Sequence, residues 1–113
     1  MITVTFASEG SRIVGFTAKG HADMGDKGED LLCAAVTSAV RLTETAVNDV
    51  LGLGAAVKVK EKDASIALKL PGSLGQTNES TCQTLLAALM VYFVQLREEY
   101  PEHILVLNED SEV

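Results

Sequence analysis

The sequence predicts an α+β fold of two layers. A mainly antiparallel sheet carries two long helices on one face, in the order β-β-α-β-β-α-β. Three observations predict it. Short segments alternate apolar and polar residues, as strands with one buried face do. Two longer stretches repeat apolar residues at helical spacing. Turn residues punctuate the boundaries, among them Gly52, Gly54 and Pro71-Gly72. With 113 residues, of which 47% are apolar, one domain spanning 1–113 and one modest core are expected.

The elements follow in order. Ile2, Val4 and Phe6 alternate with Thr3 and Thr5 as a half-buried strand. After a turn at Ser8–Ser11, Ile13 to Lys19 pairs back as a hairpin. Gly15 within it predicts a bulge or a close backbone approach. Gly20 to Asp30 reads as a long loop, and Asp30 as the N-cap of the first helix. The helix stripe is Leu32, Val36, Val40, Val47 and Leu51, with Thr43 filling the gap. Val57 and Val59, then Ile66, Leu68 and Leu70, form a second hairpin turning near Lys62-Asp63. The second helix runs from about Glu79, capped by Asn78, to Tyr100, where Pro101 stops it. Its stripe is Leu85, Leu86, Leu89, Phe93 and Leu96. Ile104 to Leu107 makes a last short strand, and the acidic tail 109–113 is expected to fray.

Composition excludes several classes. Nine Lys and Arg stand against sixteen Asp and Glu, a net charge of −7. That argues against direct nucleic-acid binding, which needs a basic face. It argues equally against electrostatic attachment to anionic lipid. The longest uncharged apolar run, Leu85 to Val94, is too short to span a membrane. No secretory signal is expected from the opening residues, so the two cysteines read as free thiols in a reducing cytoplasm.

The chemistry concentrates at the sheet edge where the second strand ends. His21 leaves that strand, and Cys33 is expected in the first turn of the following helix. A helix N-terminus favours a thiolate, a neighbouring imidazole can take its proton, and first-turn amides can hold an oxyanion. The plainer reading makes Cys33 a small buried hydrophobe before Ala34, Ala35 and Val36. Cys82 heads the second helix, at the opposite edge, and reads as structural. His103 lies beyond the far end of that helix, about 25–30 Å from Cys82 at 1.5 Å per residue. It is a competing partner for Cys33 or a solvated histidine. Asp23, Asp26, Glu29 and Asp30, against Lys27, leave the loop at −3, either a solvated surface or a rim that steers a basic peptide. Asp30 is a cap or a group orienting His21. A mixed metal site from His21, Asp23, Asp26, Asp30 and Cys33 is the rival chemistry, but its spacing matches no established ligand pattern. No metal and no cofactor are expected.

Two motifs carry a resemblance. Gly20-His21-Ala22, followed by Gly28-Glu29-Asp30-Leu31-Leu32-Cys33-Ala34-Ala35-Val36-Thr37, resembles the ribosomal-processing cysteine protease family, Prp. The resemblance implies that His21 and Cys33 are catalytic. It implies supporting or substrate-binding positions at Gly20, Asp30, Ala34 and Thr37, where Thr37 replaces the family's usual serine. It further implies a cytoplasmic endopeptidase that removes a short N-terminal extension from large-subunit ribosomal protein twenty-seven, and a homodimer formed through the helices. A glycine-bounded lid, Gly25–Gly28, would close over the peptide. The rival from another class is a non-catalytic homodimer that binds a ribosomal partner through an acidic docking loop. Rapid alkylation of Cys33 near neutral pH separates the two.

Overall fold

The computed structural model of the chain describes the backbone of residues 1–21 and 26–110 and the side chains of 1–21 and 31–110. Its elements are β1 (Ile2–Glu9), β2 (Arg12–Gly20), α1 (Asp26–Glu44), β3 (Ala56–Lys60), β4 (Ser65–Lys69), α2 (Gln76–Glu99) and β5 (Ile104–Asp110). The five strands form one sheet in the order β3-β4-β2-β1-β5. Three neighbouring pairs are antiparallel, and β5 joins β1 in parallel. That parallel pair follows from α2, which carries the chain back along the sheet before β5 begins.

Alternation decides which face is covered. Ile2, Val4 and Phe6 on β1 and Phe16 and Ala18 on β2 are buried against one core with Leu32, Val36, Val40, Leu86 and Phe93. Phe6 packs against both Phe16 and Phe93, at centroid separations of 5.8 and 6.3 Å. Both helices therefore lie on one face, as the apolar stripes predict. Leu85 is half-buried, whereas Cys82, absent from the predicted stripe, is fully buried.

Local chemistry fixes the ends of the sheet. Gly15 serves both purposes that a glycine in a strand suggests. A Cβ there would overlap the carbonyl oxygen of Leu68, and the register with β1 shifts beside it, Ala7 facing Gly15 and Ser8 facing Ile13. Gln83 of α2 acts as a surrogate strand for Ile13. Its Oε1 accepts from the Ile13 N–H, and its Nε2 donates to the Ile13 carbonyl, both at 2.8 Å. Arg12 pairs with Glu79 at 2.8 Å and donates to the Pro71 carbonyl at 2.7 Å. These contacts tie the start of β2 to the start of α2.

Several boundaries differ from expectation. Helix α1 starts at Asp26, so Asp30 is inside the helix and is not its N-cap. Helix α2 starts at Gln76 behind Gly75, so Asn78 is a helical residue rather than the cap. After α1 the chain widens into a π turn, Thr45–Val50, closed by the Leu51 N–H donating to the Ala46 carbonyl at 3.0 Å. The apolar stripe survives this turn, and Val47 stays fully buried. Strand β5 extends to Asp110, so Glu109 and Asp110 pair with Ala7 and Ser8 instead of fraying. The rest of the tail lies outside the described residues. Among the described residues no helix is long and apolar enough to cross a membrane.

Candidate active site

The site is built where β2 ends. Gly20 closes the strand with φ of +101°, a conformation that side chains resist. A Cβ there would also overlap the carbonyl oxygen of Met1. The Gly20 N–H donates to the Ala64 carbonyl at 3.1 Å, which pins the strand end to the turn between β3 and β4. His21 follows immediately and is exposed.

Cys33 is half-buried on α1, about two turns beyond Asp26. It lines a crevice of about 70 Å³ together with Gly20, Ile2, Ala18, Thr37 and Ala64. The fold thus brings Cys33 and Thr37 to the strand end from which His21 departs. Ala34 is exposed and does not line the crevice. Asp30 stands almost one turn before Cys33, and its side chain lies outside the described residues. So do Ala22 to Gly25, the last of which opens the expected lid; Asp26 to Gly28, the rest of that lid, belong to α1.

The placement of Cys33 corrects one expectation. It sits beyond the first turn, and the field of a helix N-terminus fades within that turn. The amides of Cys33 and Ala34 fall within the helical ladder, past the four free N–H groups at its start. Helix amides beside Cys33 therefore do not supply an oxyanion site. Among the described residues no group of three His, Cys, Asp or Glu side chains is placed to hold a metal.

The remaining candidates separate clearly. Cys82 is fully buried at the opposite edge, near Arg12 and Glu79. Burial pushes its thiol pKa up, Glu79 adds to the rise, and Arg12 opposes it. It is a core side chain. His103 comes to the same edge as His21, two strands away across β1, or about 10 Å. Its carbonyl accepts from the Ile2 N–H at 2.9 Å, and its N–H donates to Tyr100 at 3.0 Å.

Ala64 is the residue that sequence reasoning missed. It adopts a left-handed conformation, φ +49°, without being glycine, and its carbonyl anchors Gly20. A turn residue with no Gly, Asn or Asp at that position carries no signal in the sequence.

The pattern of the family described as Cysteine protease Prp matches residues 1–105. The Ribosomal processing cysteine protease Prp of Bacillus subtilis (strain 168) is 27% identical over 94 residues, 83% of this chain and 84% of that protein. Among solved structures, the ribosomal processing protease Prp of S. aureus, with a covalently linked product peptide, superposes with a TM-score of 0.83. It is 22% identical and covers 96% of this chain and 100% of its own. A Streptococcus mutans protein superposes at 0.84, also 22% identical, over 98% of this chain and 96% of its own.

Proposed function

The chain belongs to the Prp family of cysteine proteases, and from that premise we propose that it is an endopeptidase in which Cys33 is the nucleophile and His21 its proton carrier. The observation that carries this reading is the shared crevice, where Cys33 and the Gly20 backbone meet beside His21. Cys33 attacks the scissile carbonyl and His21 accepts the thiol proton. The imidazolium then protonates the leaving amine, and water, activated by the same imidazole, releases the acyl-enzyme. The crevice measures about 70 Å³, and in this reading it seats one small side chain of a peptide that lies across the sheet edge. Thr37 borders the seat of that side chain, and Asp30 lies within one turn of the nucleophile.

The substrate of this reading is an N-terminally extended ribosomal protein, large-subunit protein twenty-seven, processed in the cytoplasm. The B. subtilis relative named for ribosomal processing supports it, as does the acidic stretch before Cys33, which favours a basic chain. The reading includes a homodimer through the helices. A groove of about 470 Å³ runs between α1 and α2, lined by Ala39, Leu42, Leu85 and Tyr92. Leu42 is 71% exposed beside it. Covering this groove would remove apolar surface from water.

Replacing each cysteine tests the assignment. Cys33→Ser should lose roughly a thousandfold or more in kcat, and Cys82→Ser should change the rate little. Equal losses would remove Cys33 from its role.

A further inference from the structure

The face of the sheet opposite the helices is uncovered, and its charge is unlike that of the whole chain. Lys19, Lys58, Lys60 and Lys69 are all exposed and project from it. Lys60 and Lys19 share one cross-strand row through Ser65. Lys58 lies in the next row, opposite Ala67, and Lys69 in the third, opposite Ala56. On the outward positions of β2, β3 and β4 there are four lysines and no carboxylate, in a chain with sixteen acidic and nine basic residues. Glu109 of β5, opposite Ala7, and Glu9 at the end of β1 line the same trough as Lys58 and Lys69, while Asp63 alone faces Lys19, Lys58 and Lys60 in the second, so lysines outnumber carboxylates at the end nearer His21.

We propose that this lysine-bearing sheet face docks RNA by its phosphate backbone. The floor beneath the lysines is small, with Gly15, Thr17 and Ala67 lining troughs of about 410 and 240 Å³. A ribose-phosphate chain can approach such a floor closely. The cations are spread in two directions, about 6.7 Å along β3 and about 10 Å across two strand spacings. A polyanion with a charge on every unit meets all four, whereas a peptide needs an acidic run in matching order. No aromatic side chain projects from these outward positions, so the contact is to backbone rather than to stacked bases. Protection of an edge strand accounts for lysines on β3, but Lys19 and Lys69 stand on the internal strands β2 and β4. The row containing Lys19 adjoins the edge where His21 and Cys33 lie, so docked RNA would orient the active edge without filling it.

The test measures binding of a labelled oligouridylate by fluorescence anisotropy between about 50 and 200 mM salt. Wild type should bind, with a salt slope of about −2 to −3 for three or four single-strand phosphate contacts. The triple variant Lys58→Gln, Lys60→Gln, Lys69→Gln should lose at least tenfold in affinity while still cleaving peptide. The triple Lys→Arg variant should retain binding, and its retention guards against a folding defect in the glutamine variant. Arg41→Gln with Arg97→Gln, on the helices, should bind as wild type does. No binding by wild type would overturn the proposal, as would equal binding by the glutamine variant. Competition by polyglutamate as strong as by unlabelled RNA would assign the face to an acidic protein instead.

Discussion

Gly20 joins the fold to the chemistry at the scale of a single residue. Its positive φ and the overlap that a Cβ would make with Met1 leave room for no side chain. Gly20→Ala should cost about 1–3 kcal/mol of stability. It should also shift His21 relative to Cys33 and lower kcat about tenfold to a hundredfold, with a smaller change in KM. Thermal melts and steady-state kinetics on one preparation check both effects. Cys82 carries a pH prediction. Its folded thiol pKa is raised above the ordinary 9.0, so above that pH the unfolded chain loses a proton that the folded chain keeps. Stability is thus unaffected by this group below about pH 9 and falls as pH rises beyond it. Urea midpoints from pH 8 to about 10.5 should decline less for Cys82→Ala, measured relative to its own value at pH 8. Ala64 shows the opposite case, a residue that matters only through its backbone and leaves no mark in the sequence.

Gln83 illustrates the element scale. By bonding both backbone groups of Ile13 it fastens α2 to the start of β2. Gln83→Ala leaves both groups unpaired and should cost about 1–3 kcal/mol in a urea titration. Cleavage should be spared, because the contact lies at the end of β2 away from His21. Legibility in the sequence divides at the same scale. The strands, the two helical stripes and the close approach at Gly15 were readable, because alternation, 3.6-residue spacing and an isolated strand glycine report burial directly. Helix starts were not. Asp30 and Asn78 have the chemistry of caps, but both helices begin further upstream, α1 at Asp26 and α2 behind Gly75. The early start of α1 moves Cys33 out of the first turn. The nearness of Cys33 to the end of β2 is therefore legible in the sequence, while its place along the helix is not. The parallel placement of β5 was also hidden, because strand order depends on contacts distant in sequence.

At the scale of the whole molecule, averages conceal surfaces. A net charge of −7 argued against a polyanion partner, but the fold gathers four lysines on one open sheet face. Of the exposed apolar residues, Leu105 and Leu107 share the open sheet face with the lysines, and others fall on the helical layer. Leu42 and Tyr92 line the groove between the helices, at 71% and 41% exposure. A homodimer through this groove should dissociate in Leu42→Glu, seen as a halved mass by sedimentation at micromolar concentration. A monomeric wild type would remove the groove as a dimer interface.

In the proposed reaction Cys33 performs the cut. The measurement that tests it most directly is the intact mass of the extended ribosomal protein after incubation with wild type and with Cys33→Ala. Wild type should make one N-terminal cut and the variant none. Cutting by both would contradict it and transfer the chemistry to another group.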